Sequence, residues 1–378
     1  ICMKKQNYVP SYMSSYTMKG TSKLPVLGAR LPSADRDTEI KNLQQRMAYT
    51  MFEKPSPKEA QNDHLDSTQV QKPVLKRKFQ IDFTSIIGRR MTQEDAEIVY
   101  TGAKFTIAAV FDGHGGAETS RFCAANFVEY FHKEAETGQS LKNALHSTCI
   151  RLDAVFCKLN SPTVGCTLTA LVYDHSSNQF YVANVGDSKT VISGPAALLQ
   201  TVDHKPSSQA EQQRIKRHFP NTRIITMMGI ARVDGQLSLS RAIGDEYMKM
   251  SGIIPDPETY EFQGDVDYFL LACDGLFDVF TVNEVDDLVR SMKFGKRVNK
   301  NGTRLPLLDA AIAYFKGQST EGDKMLSSVA GQRIYKTNAC EEVNSGLSPA
   351  KRMSQILTKM AYWKNSMDNV TVIVGLPE

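Results

Sequence analysis

Two apolar runs rich in β-formers, 105–111 and 268–273, each lead straight into an aspartate followed by glycine: Asp112-Gly113 and Asp274-Gly275. A third acid, Asp368, stands at the entry to another such run, 370–374. A glycine beside each exit aspartate permits a sharp turn and close backbone approach. If the third strand runs antiparallel to the others, its entry lies beside their exits, and three carboxylates converge on one rim. Taken singly, each Asp-Gly is equally ordinary turn chemistry. Taken together, acids so close repel and raise one another's pKa unless cations compensate. An all-oxygen set without a His/Cys cluster favours Mg²⁺ or Mn²⁺ over zinc.

A further segment, Gly88-Arg89-Arg90-Met91-Thr92-Gln93-Glu94-Asp95-Ala96, sets two guanidinium groups a few residues before paired carboxylates. It reads either as a solvated charged turn or as part of the same site. In the second case Glu94 and Asp95 serve metal-bound water, and Arg90 binds a phosphate bidentately. Two cations sharing a water lower its pKa toward neutrality, which supplies a hydroxide without an amino-acid nucleophile. No Cys-x5-Arg loop of the tyrosine-phosphatase kind is present.

These residues need a scaffold. From Phe79 onward, short β-forming runs (105–111, 166–173, 179–184, 268–273 and 370–374) alternate with helical patterns at 117–134 and 140–159. In the second helix Leu141, Leu145, Cys149, Leu152 and Phe156 form one apolar stripe. Two successive helices flanked by strands that follow one another through turns predict an α+β layered domain rather than repeated βαβ units. Gly186-Asp187 reads as a hairpin turn between the runs 181–185 and 190–192. Residues 1–78 differ: Pro55, Pro57 and Pro73 punctuate a polar stretch, and Ile40, Leu43, Met47 and Met51 recur at helical spacing. They predict an N-terminal arm with a short helix, followed by a domain over 79–378. Residues 291–349, rich in Gly, Lys, Asn and Ser, read as an insertion.

The balance of 45 Lys+Arg against 41 Asp+Glu leaves +4, too small to argue for nucleic acid. Seven scattered cysteines without a C-x-x-C pair fit a reducing compartment. Cys123, Cys149, Cys157, Cys166 and Cys273 sit in apolar patterns and are expected as small buried hydrophobes. No apolar stretch is long enough to span a bilayer. The expectation is an intracellular protein, cytoplasmic or nuclear, with a weak basic import signal at 73–78 that reads equally as charged linker.

The segments GRRMTQEDA (88–96), FDGHGG (111–116), GCTLTA (165–170), NVGDSK (184–189), DHKP (203–206), LSRAIGD (239–245), ACDGLFD (272–278) and DNVTVIV (368–374) resemble, in order, the metal-dependent (type 2C, PPM) protein phosphatases. The resemblance covers roughly residues 80–377. It implies two antiparallel β-sheets packed as a central sandwich flanked by α-helices, a four-layer αββα fold. It also implies a protein serine/threonine phosphatase with a binuclear Mg²⁺ or Mn²⁺ centre. Asp112 would bridge the metals, the Gly113 carbonyl would bind one, and Asp274 and Asp368 would complete a shell. Asp95, and Glu94 through water, would lie around them. Arg90 would hold the substrate phosphate and His114 would be the general acid. Asp187 and Asp278, with Asp274, match acids that can hold a weaker third metal, while Thr167 and Asp245 are assigned to supporting structure. Phosphoprotein substrates, a monomer, and a regulator bound by the arm or the insertion complete the expectation. Phe277 departs from the tryptophan common at its position. The rival readings are a catalytically silent member kept as a binding module, and an unrelated metal-dependent hydrolase or nuclease.

Overall fold

A computed structural model describes residues 77–159, 161–294 and 346–378. The helix expected within 40–51 and the greater part of the expected insertion lie outside the described residues.

The dominant constraint is the alternation of side chains along buried strands. In β3 (Phe105–Phe111), Ile107, Ala109 and Phe111 face one way while Ala108 and Val110 face the other, and all five are fully buried. Such a strand needs partners on both faces, and the chain supplies them as layers. One sheet runs β13 (Glu258–Gln263), β7 (Gln179–Val185), β6 (Leu168–Asp174), β3, β2 (Ala96–Thr101). The other runs β1 (Phe79–Ile86), β15 (Val370–Pro377), β14 (Tyr268–Ala272), β8 (Lys189–Ser193), β9 (Leu198–Gln200). Every pairing within both is antiparallel.

Between the sheets Ala108, Val110, Leu171, Phe180, Phe269 and Ile373 share one apolar layer. On the outer face of the first sheet lie α1 (Glu118–Ala135) and α2 (Leu141–Phe156). The stripe of α2 is buried as expected, with Leu141 at its partly buried end, and Ser140 caps the helix by accepting from the Asn143 amide. On the outer face of the second sheet lie α5 (Val282–Phe294) and α6 (Pro349–Trp363). The order helix, sheet, sheet, helix is the expected four-layer sandwich.

Three expectations need correction. β7 and β8 do not form a hairpin across Gly186-Asp187: β7 pairs with β6 and β13, whereas β8 pairs with β14 and β9. The turn carries the chain from one sheet to the other. Gly-Asp chemistry suits both a hairpin and a crossover, so composition could not tell them apart. The run 166–173 is also broken. Gly165–Cys166 (β5) leaves the main sheet at Thr167 and pairs with β4 (Gly113–His114) and β12 (Ile243–Gly244). Of the cysteines, Cys123, Cys149, Cys166 and Cys273 are buried but Cys157 is only half-buried, because it lies past the end of the α2 stripe.

Phe269, in the middle of β14, packs against the rings of Phe79 and Phe180 between the sheets. Truncation there opens a cavity that both sheets enclose. Phe269→Ala is expected to cost about 3–5 kcal/mol of folding stability in urea denaturation. A loss below about 1 kcal/mol would contradict this packing.

Candidate metal centre

The strand ends meet as their registers dictate. Asp112 leaves β3 directly, and Ala96 of β2 pairs with Phe111, so Asp95 lies next to Asp112 across the strand pair. Asp274 follows β14 and opens the short helix α4 (Asp274–Phe277), while Asp368 stands just before β15, the antiparallel neighbour of β14. Thr167 brackets Asp112: its hydroxyl accepts from the Asp112 amide at 3.2 Å, and its own amide donates to the Asp112 carbonyl at 2.8 Å.

The loop bearing Arg90 and Glu94 is held by Asn369. The Asn369 amide group donates to the carbonyls of Ile87 and Thr92, each at 2.9 Å, and accepts from the Glu94 backbone at 2.9 Å. Gly113 lets this loop close on β4, for a Cβ there would stand 2.4 Å from the Glu94 carbonyl. Arg90 reaches the cluster from an exposed position and donates to Asp368 at 2.5 Å.

His114 sits opposite Gly165 in the β4–β5 register, and Gly244 pairs with Gly165 from the other side. Asp245 follows, with φ +50° and almost no solvent contact, and its Oδ2 lies 2.7 Å from His114 Nε2. A Cβ on Gly165 would come within 2.1 Å of that carboxylate and 2.6 Å of that nitrogen. The histidine–aspartate contact therefore requires glycine at 165.

The electrostatics of the acids are extreme. Burial, then the charges of Asp274, Asp95, Asp187 and Asp368, push Asp112 well above the usual carboxylate range. Asp274 is raised likewise by burial and by Asp187, Asp278 and Asp368. Asp95 is pushed up to about 6 by burial, against the pull of its hydrogen bond from Thr371. Ligand atoms of Asp95, Asp112 and Cys273 all lie within 4.8 Å of one another. Asp274 Oδ1 is enclosed without a hydrogen-bond partner among the described residues. Crowded, destabilised carboxylates with an unsatisfied buried oxygen are what a hard divalent cation relieves, so the residues present fit Mg²⁺ or Mn²⁺.

Residues 79–317 match the family model for protein phosphatase 2C. The chain belongs to that family. Its members are metal-dependent protein serine/threonine phosphatases. An Arabidopsis thaliana relative, Protein phosphatase 2C 56, is 32% identical over 327 residues, covering 77% of this chain and 67% of the relative. Protein phosphatase 2C homolog 3 of Schizosaccharomyces pombe is 31% identical over 228 residues, 55% of this chain and 53% of that one. The chain thus spans about half to two thirds of the length of these two curated relatives. The fold is shared with a C. elegans sex determining protein (TM-score 0.60, 22% identity, 79% of this chain and 64% of that one). It is also shared with a serine-threonine phosphatase 2C from Toxoplasma gondii (TM-score 0.56, 19% identity, 79% and 95%).

Within this phosphatase 2C domain, sequence reasoning assigned several residues too little. Asp245 is the partner of His114, and Asn369 ties down the Arg90 loop. Cys273 is a member of the cluster rather than a plain hydrophobe: its thiol accepts from the Thr371 amide at 3.2 Å and donates to the Asn369 carbonyl at 3.5 Å. Burial and the charges of Asp95, Asp112 and Asp274 drive that thiol's pKa well up, which keeps it neutral and leaves cation binding to oxygen. At the edge of the cluster Lys205 lies 3.2 Å from Asp187 Oδ2 and also feels Asp274 and Asp278, so a protein cation already shares these acids.

A carboxyl whose pKa is higher folded than unfolded binds more protons when folded, so its contribution to stability is lost as pH rises. For Asp95 the loss runs from the unfolded value of about 3.9 through about 6, on the order of 2–3 kcal/mol. Asp112 and Asp274 shift in the same direction. Metal-free protein is therefore expected to melt at a lower temperature at about pH 7.5 than at about pH 5, with excess Mn²⁺ reversing the loss. A metal-free Tm that climbs over that interval would contradict the crowding.

Proposed function

We propose that this chain hydrolyses phosphoserine and phosphothreonine esters of proteins at a binuclear Mg²⁺ or Mn²⁺ centre. The observation that carries the reading is the convergence of Asp95, Asp112, Asp274 and Asp368 on one rim, where burial and neighbouring acids hold Asp95, Asp112 and Asp274 at raised pKa. Asp112, Asp274, Asp368 and the Gly113 carbonyl would hold the two ions, with Asp95 and Glu94 beside them directly or through water. Such ions, when bound, would lower the pKa of water for in-line attack on phosphorus and would offset phosphate charge.

The chain's own groups do the rest. Arg90, on an exposed loop pinned by Asn369, turns its guanidinium from Asp368 to two oxygens of the substrate phosphate. His114 is held at Nε2 by the buried Asp245 carboxylate, which orients the ring and leaves Nδ1 to carry the transferred proton. That proton passes to the departing serine or threonine oxygen, whose alkoxide is otherwise a poor leaving group. Asp187 and Asp278, with Asp274, would hold a weaker third ion, for which Lys205 must give way. The substrates are phosphoproteins, and the N-terminal arm or the insertion at 291–349 is the segment for a regulator.

Asp112→Ala and Asp274→Asn are each expected to abolish Mn²⁺-dependent release of phosphate from a phosphothreonine peptide while the circular dichroism spectrum is retained. Wild-type turnover by either variant overturns the assignment. Asp245→Asn should lower phosphoserine-peptide turnover by on the order of 10²-fold. Turnover of p-nitrophenyl phosphate, whose leaving group needs no proton, should fall far less. Equal losses on both substrates would contradict the role given to His114.

A further inference from the structure

Most side chains along the β1–β15 seam are apolar or at its margin, but one cross-strand pair, Ser85 and Thr371, is hydroxylic. Thr371 is fully buried, and its Oγ1 lies 2.6 Å from Asp95 Oδ2 and 2.8 Å from Ser85 Oγ. Ser85 Oγ in turn lies 2.6 Å from Gln93 Nε2. Four side chains from β1, the β1–β2 loop and β15 thus make a continuous file that ends on the carboxylate.

The direction of the file follows from proton count. An ionised carboxylate only accepts, so the single Thr371 hydroxyl proton goes to Asp95. Thr371 must then accept from Ser85, whose own proton is thereby used. Ser85 can only accept from Gln93, which presents its NH₂ group and leaves Oε1 enclosed and without a partner among the described residues. Reversing the Gln93 amide would ask Ser85 for two protons. Each donor in the chain is fixed by the charge at its end.

We propose that Gln93, Ser85 and Thr371 form a one-way hydrogen-bond chain that holds the Asp95 carboxylate in the orientation used for the cation centre, which makes Thr371 and Ser85 positioning residues. The proposal rests on the metal reading above. Asp95 lies among Asp112 and Cys273, where its free rotation would let it turn away from like charge. A hydroxyl anchored from behind through two strands prevents that rotation at no cost in charge. Partners of metal ligands that fix their orientation are worth on the order of 10–100-fold in metal affinity.

The test is titration calorimetry of Mn²⁺ into the full, metal-free chain, which reads binding independently of turnover. Thr371→Val keeps the shape and removes the donor, and is expected to weaken Mn²⁺ binding by about 10-fold or more. Thr371→Ser restores the hydroxyl and should bind within about threefold of wild type. Ser85→Ala, one bond further out, should weaken binding in the same direction by less. The control is Thr84→Val at the strand position next to Ser85, which breaks a 2.8 Å hydroxyl pair with Ser354 of α6 without touching Asp95. It should leave Mn²⁺ affinity unchanged. Wild-type binding combined with unchanged affinity in Thr371→Val, or an equal loss in Thr84→Val, overturns the chain of positioning residues alone. A wild-type chain that takes up no Mn²⁺ overturns the metal reading, and this proposal with it. Should Thr371→Val fail to fold, unchanged affinity in Ser85→Ala overturns the proposal.

Discussion

Like charge held at close quarters governs this domain. Asp95, Asp112, Asp274 and Asp368 are brought to one rim by strands from both sheets; Asp95, Asp274 and Asp368 raise the cost of ionising Asp112, and Asp368 does the same to Asp95 and Asp274. Water relieves them only in part, because Asp95 is buried and Asp112, Asp274 and Asp368 are half-buried where the strands end. Arg90 and Lys205 offset part of the repulsion from the periphery. Divalent cations at the centre would offset the remainder, so the same arrangement that weakens the metal-free fold creates the demand for metal.

Holding repelling groups in place takes rigid backing, and the fold supplies it in several forms. Thr167 grips the peptide of Asp112 from both sides, and Asn369 anchors the loop of Arg90 and Glu94 at three points. Behind Asp95 runs the hydroxyl file of Thr371 and Ser85. Close approach of backbone to backbone completes the packing: Gly113 admits the Glu94 carbonyl where any side chain would collide. These restraints lie in loops and strand ends, so the sandwich supplies stiffness and its rim supplies chemistry.

The histidine is handled separately from the acids. His114 belongs to the small ribbon of β12, β5 and β4, not to either main sheet, and its partner Asp245 comes from a left-handed residue at the end of that ribbon. This separation lets an imidazole stand beside the clustered acids while its Nε2 faces a buried carboxylate of its own. On the proposed reading, proton supply and cation binding would use different aspartates.

Strand identity and the exit acids were legible in the sequence because both are local. A short continuous apolar run rich in β-formers announces a strand buried on both faces, and Asp-Gly announces its end. Asp112, Asp274 and Asp368 could therefore be singled out, and the order of motif segments pointed to the phosphatase 2C family. What only the tertiary structure decided is every relation across distance. Asp245 meets His114 over 131 residues of chain, and Thr371 meets Asp95 over 276. Within its own strand Thr371 looks like any β-branched residue, and Cys273 looks like any small hydrophobe. The Gly186-Asp187 turn was misread for the same reason: turn chemistry records that the backbone reverses, not which sheet receives it. Local sequence sets what each residue can do, whereas the stacking of two sheets sets which residues meet, because that depends on burying apolar faces far apart along the chain.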